Sequence, residues 1–378
     1  MKAPGHSIGA LEEREHWRIA ADALAGRCTA LMVDAAGRSA LVRWIAASRL
    51  GVLLQETCRA ASRSDPIWVE LSSTIHRELA VSALQERELR RLLDAFAAAG
   101  QSPILLKGAA LAYTIYGNPA VRPRGDVDFL IRESDEHPTR RLLEALGYSP
   151  ELDVPGGLVS TQFHFGRTDS FGVRHECDVH LKMSNAQAYA DCLTYDAILR
   201  DAIRCPRLHQ DALAPAPFHS LVIACVHRIA HHHDVDDLIW LWDIHLLAES
   251  LTAEEWTRVV EVSRTRQLSL AVLRGLERAR QAFGGAGHDH VIARLAADTD
   301  DRTLPLFGQQ TTMLHVLFSD LRTLQTFRAR LRLVRDHLFP PFSYVRQRYP
   351  RCPAALLPLA YVYRMGRGAP KWLRPRRH

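Results

Sequence analysis

Apolar positions in the first hundred residues recur at helical spacing, in the group Leu41, Val42, Ile45, Leu50, Leu53 and Leu54 and again along Glu78 to Ala99. In the second stretch Leu84, Leu89, Leu92, Leu93 and Phe96 continue a stripe that starts at Leu79. Such stripes bury against other elements, so residues 1–100 are expected to form a helical N-terminal subdomain, with a loop at Ser62 to Pro66. After Gly100 and Pro103 the period changes. Ile104-Leu-Leu106 is a short apolar run, then Lys107-Gly108, then the amphipathic stretch Ala109 to Tyr116, which together predict a strand running into a helix. From Asp126 to Ile131 the pattern alternates, which places Asp126, Asp128 and Leu130 on one face of a strand and Val127, Phe129 and Ile131 on the other.

A helix follows, with start chemistry at Ser134 and Asp135, a buried side of Leu142, Leu143 and Leu146, and Gly147 at its end. Leu158 to Gly166 and Val173 to Leu181 read as a hairpin around the turn-rich Arg167 to Gly172. In the second of these strands Glu176, Asp178 and His180 share a face. From 186 onward the pattern is helical, with Phe218 to His233 and Asp236 to Glu249 as an antiparallel pair and Thr252-Ala-Glu-Glu255 as a capping box. Asp298 to Arg302 is a polar linker, Leu304 to Leu338 is expected to be helical, and the many prolines beyond it predict an irregular end. The fold class is α+β: a helical region 1–100, an α/β core 101–184, a helical subdomain 185–300, and a helical then irregular basic tail 301–378.

Composition narrows the class. At 378 residues, 47% hydrophobic and 24% charged, the chain is an ordinary globular sequence. Met1 to Trp17 carries Glu12, Glu13 and Glu15 and no apolar core of a signal peptide, and the longest apolar run, Ala354 to Tyr363, is broken by Pro358. A cytoplasmic location is therefore expected. Seven scattered cysteines without a Cys-x-x-Cys pair exclude a zinc ribbon and a disulfide framework. The formal charge of +6 is uneven: Leu321 to His378 holds 14 Lys/Arg against one acid, Asp336.

The chemistry concentrates around Asp126. Two carboxylates on one strand face, with Cα atoms about 7 Å apart, can both reach hard cations. The Lys107-Gly108 turn opens a helix, where free N–H groups and the helix dipole favour an anion and glycine lets a phosphate approach the main chain. Lysine is scarce here, Lys2, Lys107, Lys182 and Lys371 standing against 44 arginines. A solvated strand face is the bland account of such acids; the adjoining Lys-Gly turn favours a metal-dependent phosphoryl-transfer site.

The succession Leu-Leu-Lys-Gly-Ala, helix, Arg-Pro-x-Gly-Asp-x-Asp-x-Leu, helix ending at Tyr148, and Asp178-Val-His180 resembles the uncharacterised nucleotidyltransferase family of the DNA polymerase β superfamily. The likeness is good from about 79 to 250 and extends loosely to His227 and Trp242-Asp243. It implies a mixed sheet with flanking helices, a catalytic carboxylate set of Asp126, Asp128 and Asp178 holding Mg2+ (or Mn2+), and a nucleoside triphosphate such as ATP as donor to an acceptor: small molecule, peptide or protein, or RNA end. Lys107, Gly108 and Arg122 are the expected triphosphate contacts. Much of the superfamily has Gly-Ser where this chain has Lys107-Gly108-Ala109. Glu176 shares the face of Asp178 and is the competing third carboxylate.

Three other readings attach to particular residues. His227-Arg-Ile-Ala-His-His-His-Asp234 has metal-compatible spacing and resembles the dyad of HD-type phosphohydrolases, while a His227 to Asp243 hydrogen bond bracing two helices is the structural account. The basic tail, with Tyr361, Tyr363 and Trp372 among its arginines, is a candidate contact for RNA, another polyanion or a membrane surface. A non-catalytic, antitoxin-like or scaffold protein with the same core is the remaining class.

Overall fold

The computed structural model describes residues 10–28, 31, 33–58, 66–151, 158–285, 288–298, 312–353 and 356–373. Helices α1 (Ala10–Leu24), α2 (Ala35–Ser48), α3 (Gly51–Thr57) and α4 (Pro66–Ala98) precede the sheet. The central region runs β1 (Ile104–Leu106), α5 (Lys107–Thr114), β2 (Val127–Leu130), α6 (Glu136–Ala145), β3 (Ser149–Pro150), β4 (Gln162–Thr168) and β5 (Arg174–His180). Then come α7 (Gln187–Ala190), α8 (Tyr195–Arg200), β6 (Ile203–Arg204), β7 (Leu213–Ala214), α9 (Pro217–Ala230), α10 (Leu238–Ser250), α11 (Ala253–Thr265), α12 (Ser269–Phe283) and α13 (Asp289–Ala296). The last helices are α14 (Met313–Thr323), α15 (Phe327–Leu338), α16 (Phe342–Arg348) and α17 (Leu357–Leu373).

The sheet is mixed, in the order β3-β4-β5-β2-β1-β7-β6, with β2 parallel to β5 and antiparallel to β1. The alternation read from the sequence sorts its two faces. Leu105, Phe129, Ile131, Cys177 and Val179 join a core with Leu89, Leu92, Leu93 and Phe96 of α4 and Leu143 of α6. Ile104, Leu106 and Leu130 point the other way, into a larger core shared with α1–α3, α9, α10 and α12. That second face carries the acids. Because α4 gives Ile67, Trp68, Leu71 and Ile75 to this core and its later residues to the first, it ties the N-terminal helices to both sides of the sheet.

Glu88 on α4 strengthens that tie. It accepts from Arg91 at 2.6 Å, Tyr148 at 2.8 Å and Arg167 at 3.0 Å. Burial alone would raise its carboxyl, but the donated bonds and the arginine charges hold it at about 2.

Several expectations are corrected. The stretch after 186 is not wholly helical: β6 and β7 extend the sheet beyond β1, and two-residue strands carry no periodic signal. α6 begins after a short 3-10 turn, and Asp135 at its cap makes no side-chain capping bond; Gly147, at φ 84°, ends it as expected. Beyond Leu338 the described residues are mostly helical. Pro340, Pro341, Pro350 and Pro353 fall between helices, Pro358 lies in the first turn of α17, where a missing N–H breaks no helical bond, and Pro370 falls within the last turn of α17. The hairpin, the α9–α10 pair and the Thr252–Glu255 capping box form as read. Residues 1–9, most of the Ser62–Pro66 loop, 299–311 of the linker and following segment, and 374–378 lie outside the described residues.

The C-terminal helices are tied to the core through Asp320 of α14, which accepts the Gln187 backbone N–H at 2.7 Å. Burial pushes this carboxyl from 3.8 up to about 7, against the pull of that bond. A folded value above the unfolded one means that the stabilisation is complete below about pH 4 and is lost as pH rises through about 7. Melting temperature should therefore fall by a few degrees between about pH 5 and pH 8, and Asp320→Asn should flatten that fall. A pH series of thermal melts that is parallel for both proteins would remove Asp320 as the cause.

Candidate active site

β1 passes into α5 at Leu106, which is extended (φ −121°, ψ 168°), and Lys107, which takes φ 49°. A positive φ is uncommon for a residue with a side chain and persists where the surroundings hold it. At Gly108 an added Cβ would lie 3.2 Å from Arg122 Nη1, so glycine is what lets the guanidinium lie directly against the turn. Arg122 in turn is fixed by Asp243 of α10, its Nε donating to Oδ1 at 3.0 Å and its Nη2 to Oδ2 at 2.7 Å. The Tyr116 hydroxyl donates to the same carboxylate at 2.7 Å. The Lys107-Gly108 turn thus rests on a buried Arg122–Asp243–Tyr116 cluster.

The strand register brings the acids together. Asp128 on β2 stands opposite Asp178 on β5 and opposite Leu106 on β1, one residue before Lys107. Asp128 is buried and receives Lys107 Nζ at 2.6 Å and His180 Nε2 at 2.9 Å. Burial by itself would raise the Asp128 carboxyl; the Lys107 charge and the His180 contact pull it well below the usual carboxylate range. Asp178 Oδ1 lies 2.6 Å from His164 Nδ1, contributed by the neighbouring strand β4. Asp126 stands at the cleft mouth. Loss of hydration between the walls, then the charges of Asp128 and Asp178, push its carboxyl up to about 6 against the pull of Lys107.

These residues line one cleft of about 470 Å3, which holds Asp126, Asp128, Asp178, Lys107, Gly108 and Arg122 together. All six expected site residues therefore meet. Arg122 reaches the lining with its guanidinium already committed to Asp243. Glu176 does not join them: it pairs with Arg174 at 2.7 Å on the exposed rim, which leaves Asp178 as the third carboxylate of the cleft.

The far wall comes from α9, α10 and their connection: His227, His231, His232 and Trp240. The His232 and Trp240 rings lie 3.9 Å apart at 38°, and His227 Nε2 is 3.1 Å from His232 Nε2. Burial, followed by the Lys107 charge, pulls His227 well below its ordinary value and His231 down to about 3, so both rings are neutral at pH 7. Trp240 and His164 escaped the sequence reading, because a tryptophan in an apolar helix and a histidine in a hairpin look like packing residues.

Two readings of this wall are corrected. His227 is not hydrogen-bonded to Asp243, whose oxygens are taken by Arg122 and Tyr116. Asp234 turns away from the cleft to ion-pair with Arg228 and, at 2.9 Å, with Arg274, so its carboxylate is not presented as an HD-type metal ligand.

Among the described residues no group of three or more His, Cys, Asp or Glu side chains is placed to hold a metal ion by itself. An open site is what magnesium requires, since it takes one or two carboxylates and completes its shell with waters and substrate phosphates. The donor set fits that pattern: Asp126, Asp128 and Asp178 offer oxygen ligands, and the charges of Asp128 and Asp178 lie close enough to raise the proton affinity of Asp126. No helix among the described residues is long and apolar enough to cross a membrane.

No curated protein matches the chain. The profile of the family described as uncharacterised nucleotidyltransferase matches residues 34–284, from α2 and its cap through the sheet, the cleft and α9–α12. The match covers most of the chain and every residue of the carboxylate cleft, and the protein belongs to the uncharacterised nucleotidyltransferase family.

Proposed function

We propose that the cleft binds a nucleoside triphosphate together with magnesium, or manganese, and transfers its nucleotidyl group to an acceptor hydroxyl or similar nucleophile. The observation that carries this reading is the convergence of Asp126, Asp128 and Asp178 beside the strand-to-helix turn at Lys107-Gly108. Acids and an anion-binding turn in one cleft suit a substrate that is a polyphosphate escorted by cations.

In this reading Asp126 and Asp128 hold the metal, with Asp178 on the acceptor side. The bound metal supplies neutralisation of phosphate charge at the reacting phosphorus and on the departing pyrophosphate. The acceptor oxygen forms a bond to the α-phosphorus while the bond from that phosphorus to the β-phosphate bridging oxygen breaks. Asp178, held by His164, takes the acceptor's proton, and the electron pair of the broken bond leaves with pyrophosphate. Lys107, which is paired with Asp128, would turn its ammonium to the β- or γ-phosphate of the bound triphosphate. Arg122, bound to Asp243, acts as the support of the turn. Trp240 and the neutral His227 and His231 rings offer planar faces on which a base can stack.

Incubating the protein with each of the four nucleoside triphosphates, magnesium and a cell-extract fraction, then finding the labelled product by mass spectrometry, tests the reading. A nucleotidylated product with release of pyrophosphate supports it; triphosphates that neither bind nor turn over in any metal would refute it.

Lys107→Ala should weaken binding of a non-hydrolysable triphosphate in magnesium about tenfold to a hundredfold, the equivalent of one charge-assisted hydrogen bond of roughly 1.5–3 kcal/mol. Lys107→Arg should restore it only in part, since a planar guanidinium does not fit the ammonium's place. Unchanged affinity by calorimetry, with a lowered melting temperature, would confine Lys107 to its ion pair with Asp128.

A further inference from the structure

Ten of the thirteen large apolar side chains that stand exposed among the described residues lie between Phe318 and Tyr363. They are ordered on the helices. On α15, Phe327, Leu331 and Leu338 are spaced by four and seven residues and form one stripe, with Phe327 78% and Leu331 59% exposed. At 100° per residue Arg328 and Arg335 flank that stripe on one side and Arg330 on the other. On α17, Leu359, Val362 and Tyr363 form a second exposed face, while Leu357 and Ala360 turn inward against Val345 of α16.

The helices are held together: Arg364 Nη1 donates to the His337 carbonyl at 3.0 Å and the Tyr361 hydroxyl to the Pro340 carbonyl at 2.8 Å. The apolar faces therefore belong to a built surface. The one acid between Leu321 and His378, Asp336, is itself paired with Arg335 at 2.8 Å.

We propose that this face of α15–α17 docks the protein on an anionic lipid surface, with the Phe327–Leu331–Leu338 stripe entering the headgroup boundary and the flanking arginines meeting lipid phosphates and carboxylates. Apolar stripe and basic flanks on one helix are the combination that such a surface rewards, each basic residue near it adding electrostatic attraction and each inserted apolar group adding burial. Long arginine stems also let the charge reach the headgroups while the stem covers apolar surface.

Charge decides against a second copy, because two segments that each carry 14 basic residues and one acid repel. Chemistry favours lipid over RNA: Phe327 and Tyr363 carry rings that could stack on a base, but Leu331, Leu338, Leu359 and Val362, which make up the rest of the two faces, offer neither a stacking ring nor a donor and are suited to an acyl boundary. The family match ends at residue 284, so the docking face lies outside the matched part and stands independently of the proposed transfer reaction.

Co-sedimentation of the full chain with vesicles tests the proposal. Binding to phosphatidylcholine vesicles containing phosphatidylserine should exceed binding to phosphatidylcholine alone at least about tenfold, and should weaken as ionic strength rises from about 0.1 M to about 0.5 M. The double variant F327E/L331E, at exposed positions that leave the core untouched, should lose at least about tenfold in partitioning with an unchanged circular-dichroism spectrum. The variant R328E/R330E, which keeps the stripe, should also lose binding, at least about fivefold for each arginine reversed. No binding to the anionic vesicles, or binding that F327E/L331E leaves intact, overturns the proposal. Tight binding of single-stranded RNA that F327E/L331E abolishes, without measurable binding of the unaltered protein to the anionic vesicles, would assign the face to nucleic acid instead.

Discussion

Asp128→Asn is expected to reduce magnesium-dependent nucleotidyl transfer by more than the roughly tenfold to hundredfold that follows loss of an outer-shell metal partner. Three consequences act together. The change removes the charge of the acid at the centre of the strand register, opposite Asp178 and 2.6 Å from Lys107. It leaves the Lys107 ammonium facing a neutral amide instead of its ion-pair partner, and it turns one of the two carboxylate oxygens, beside the Oδ1 that takes both Lys107 and His180, into an amide nitrogen that can only donate. Volume is nearly unchanged, so the fold should persist. Calorimetric titration with magnesium and a non-hydrolysable triphosphate, run beside a circular-dichroism comparison, separates the roles. Loss of metal-dependent binding in a folded Asp128→Asn protein supports the carboxylate as a ligand; undiminished binding and turnover would sink the proposed reaction, since no other acid occupies the same position.

Asp243→Ala is expected to destabilise the protein by about 3–5 kcal/mol, the usual cost of leaving one partner of a buried ion pair behind. Arg122 would keep its charge in a site from which water is excluded, and the Tyr116 hydroxyl would lose its acceptor. Because the Arg122 guanidinium lies against Gly108, the disturbance should reach the Lys107-Gly108 turn. Triphosphate affinity should therefore drop along with stability, although Asp243 touches no phosphate in the proposed reaction. Denaturant unfolding gives the stability change; a loss below about 1 kcal/mol would mean that water reaches Arg122 and that the cluster does not brace the turn.

Much of the carboxylate cleft was legible before any tertiary structure. Period-two alternation is a local property of an extended chain, so Asp126 and Asp128, and separately Asp178 and His180, had to share a face wherever the strands lay. The Lys107-Gly108 junction was equally readable, since an apolar run ending at a glycine before an amphipathic stretch is local punctuation. Helical stripes on α2–α4 were visible for the same reason, and the family motif carried the acids to the cleft.

What the tertiary structure alone decided was pairing. Lys107 lies on Asp128, His164 on Asp178 and Arg122 on Asp243, and the partners in the last pair are 121 residues apart. Such contacts depend on strand register and on the angle at which α10 crosses the turn, which no window of sequence contains. The same limit explains the errors. His227 and Asp243 are both on the expected helices, yet the closer Arg122 and Tyr116 take the carboxylate, and a charged guanidinium competes better for it than a neutral imidazole. In the tail, proline content predicted irregularity because composition counts prolines without position; most stand between helices or in a first turn, and Pro370 falls in the last turn of α17, so α16 and α17 form all the same. The basic charge of that tail was a matter of counting, whereas the exposed apolar stripe between its arginines required knowing which face of α15 the rest of the protein leaves open.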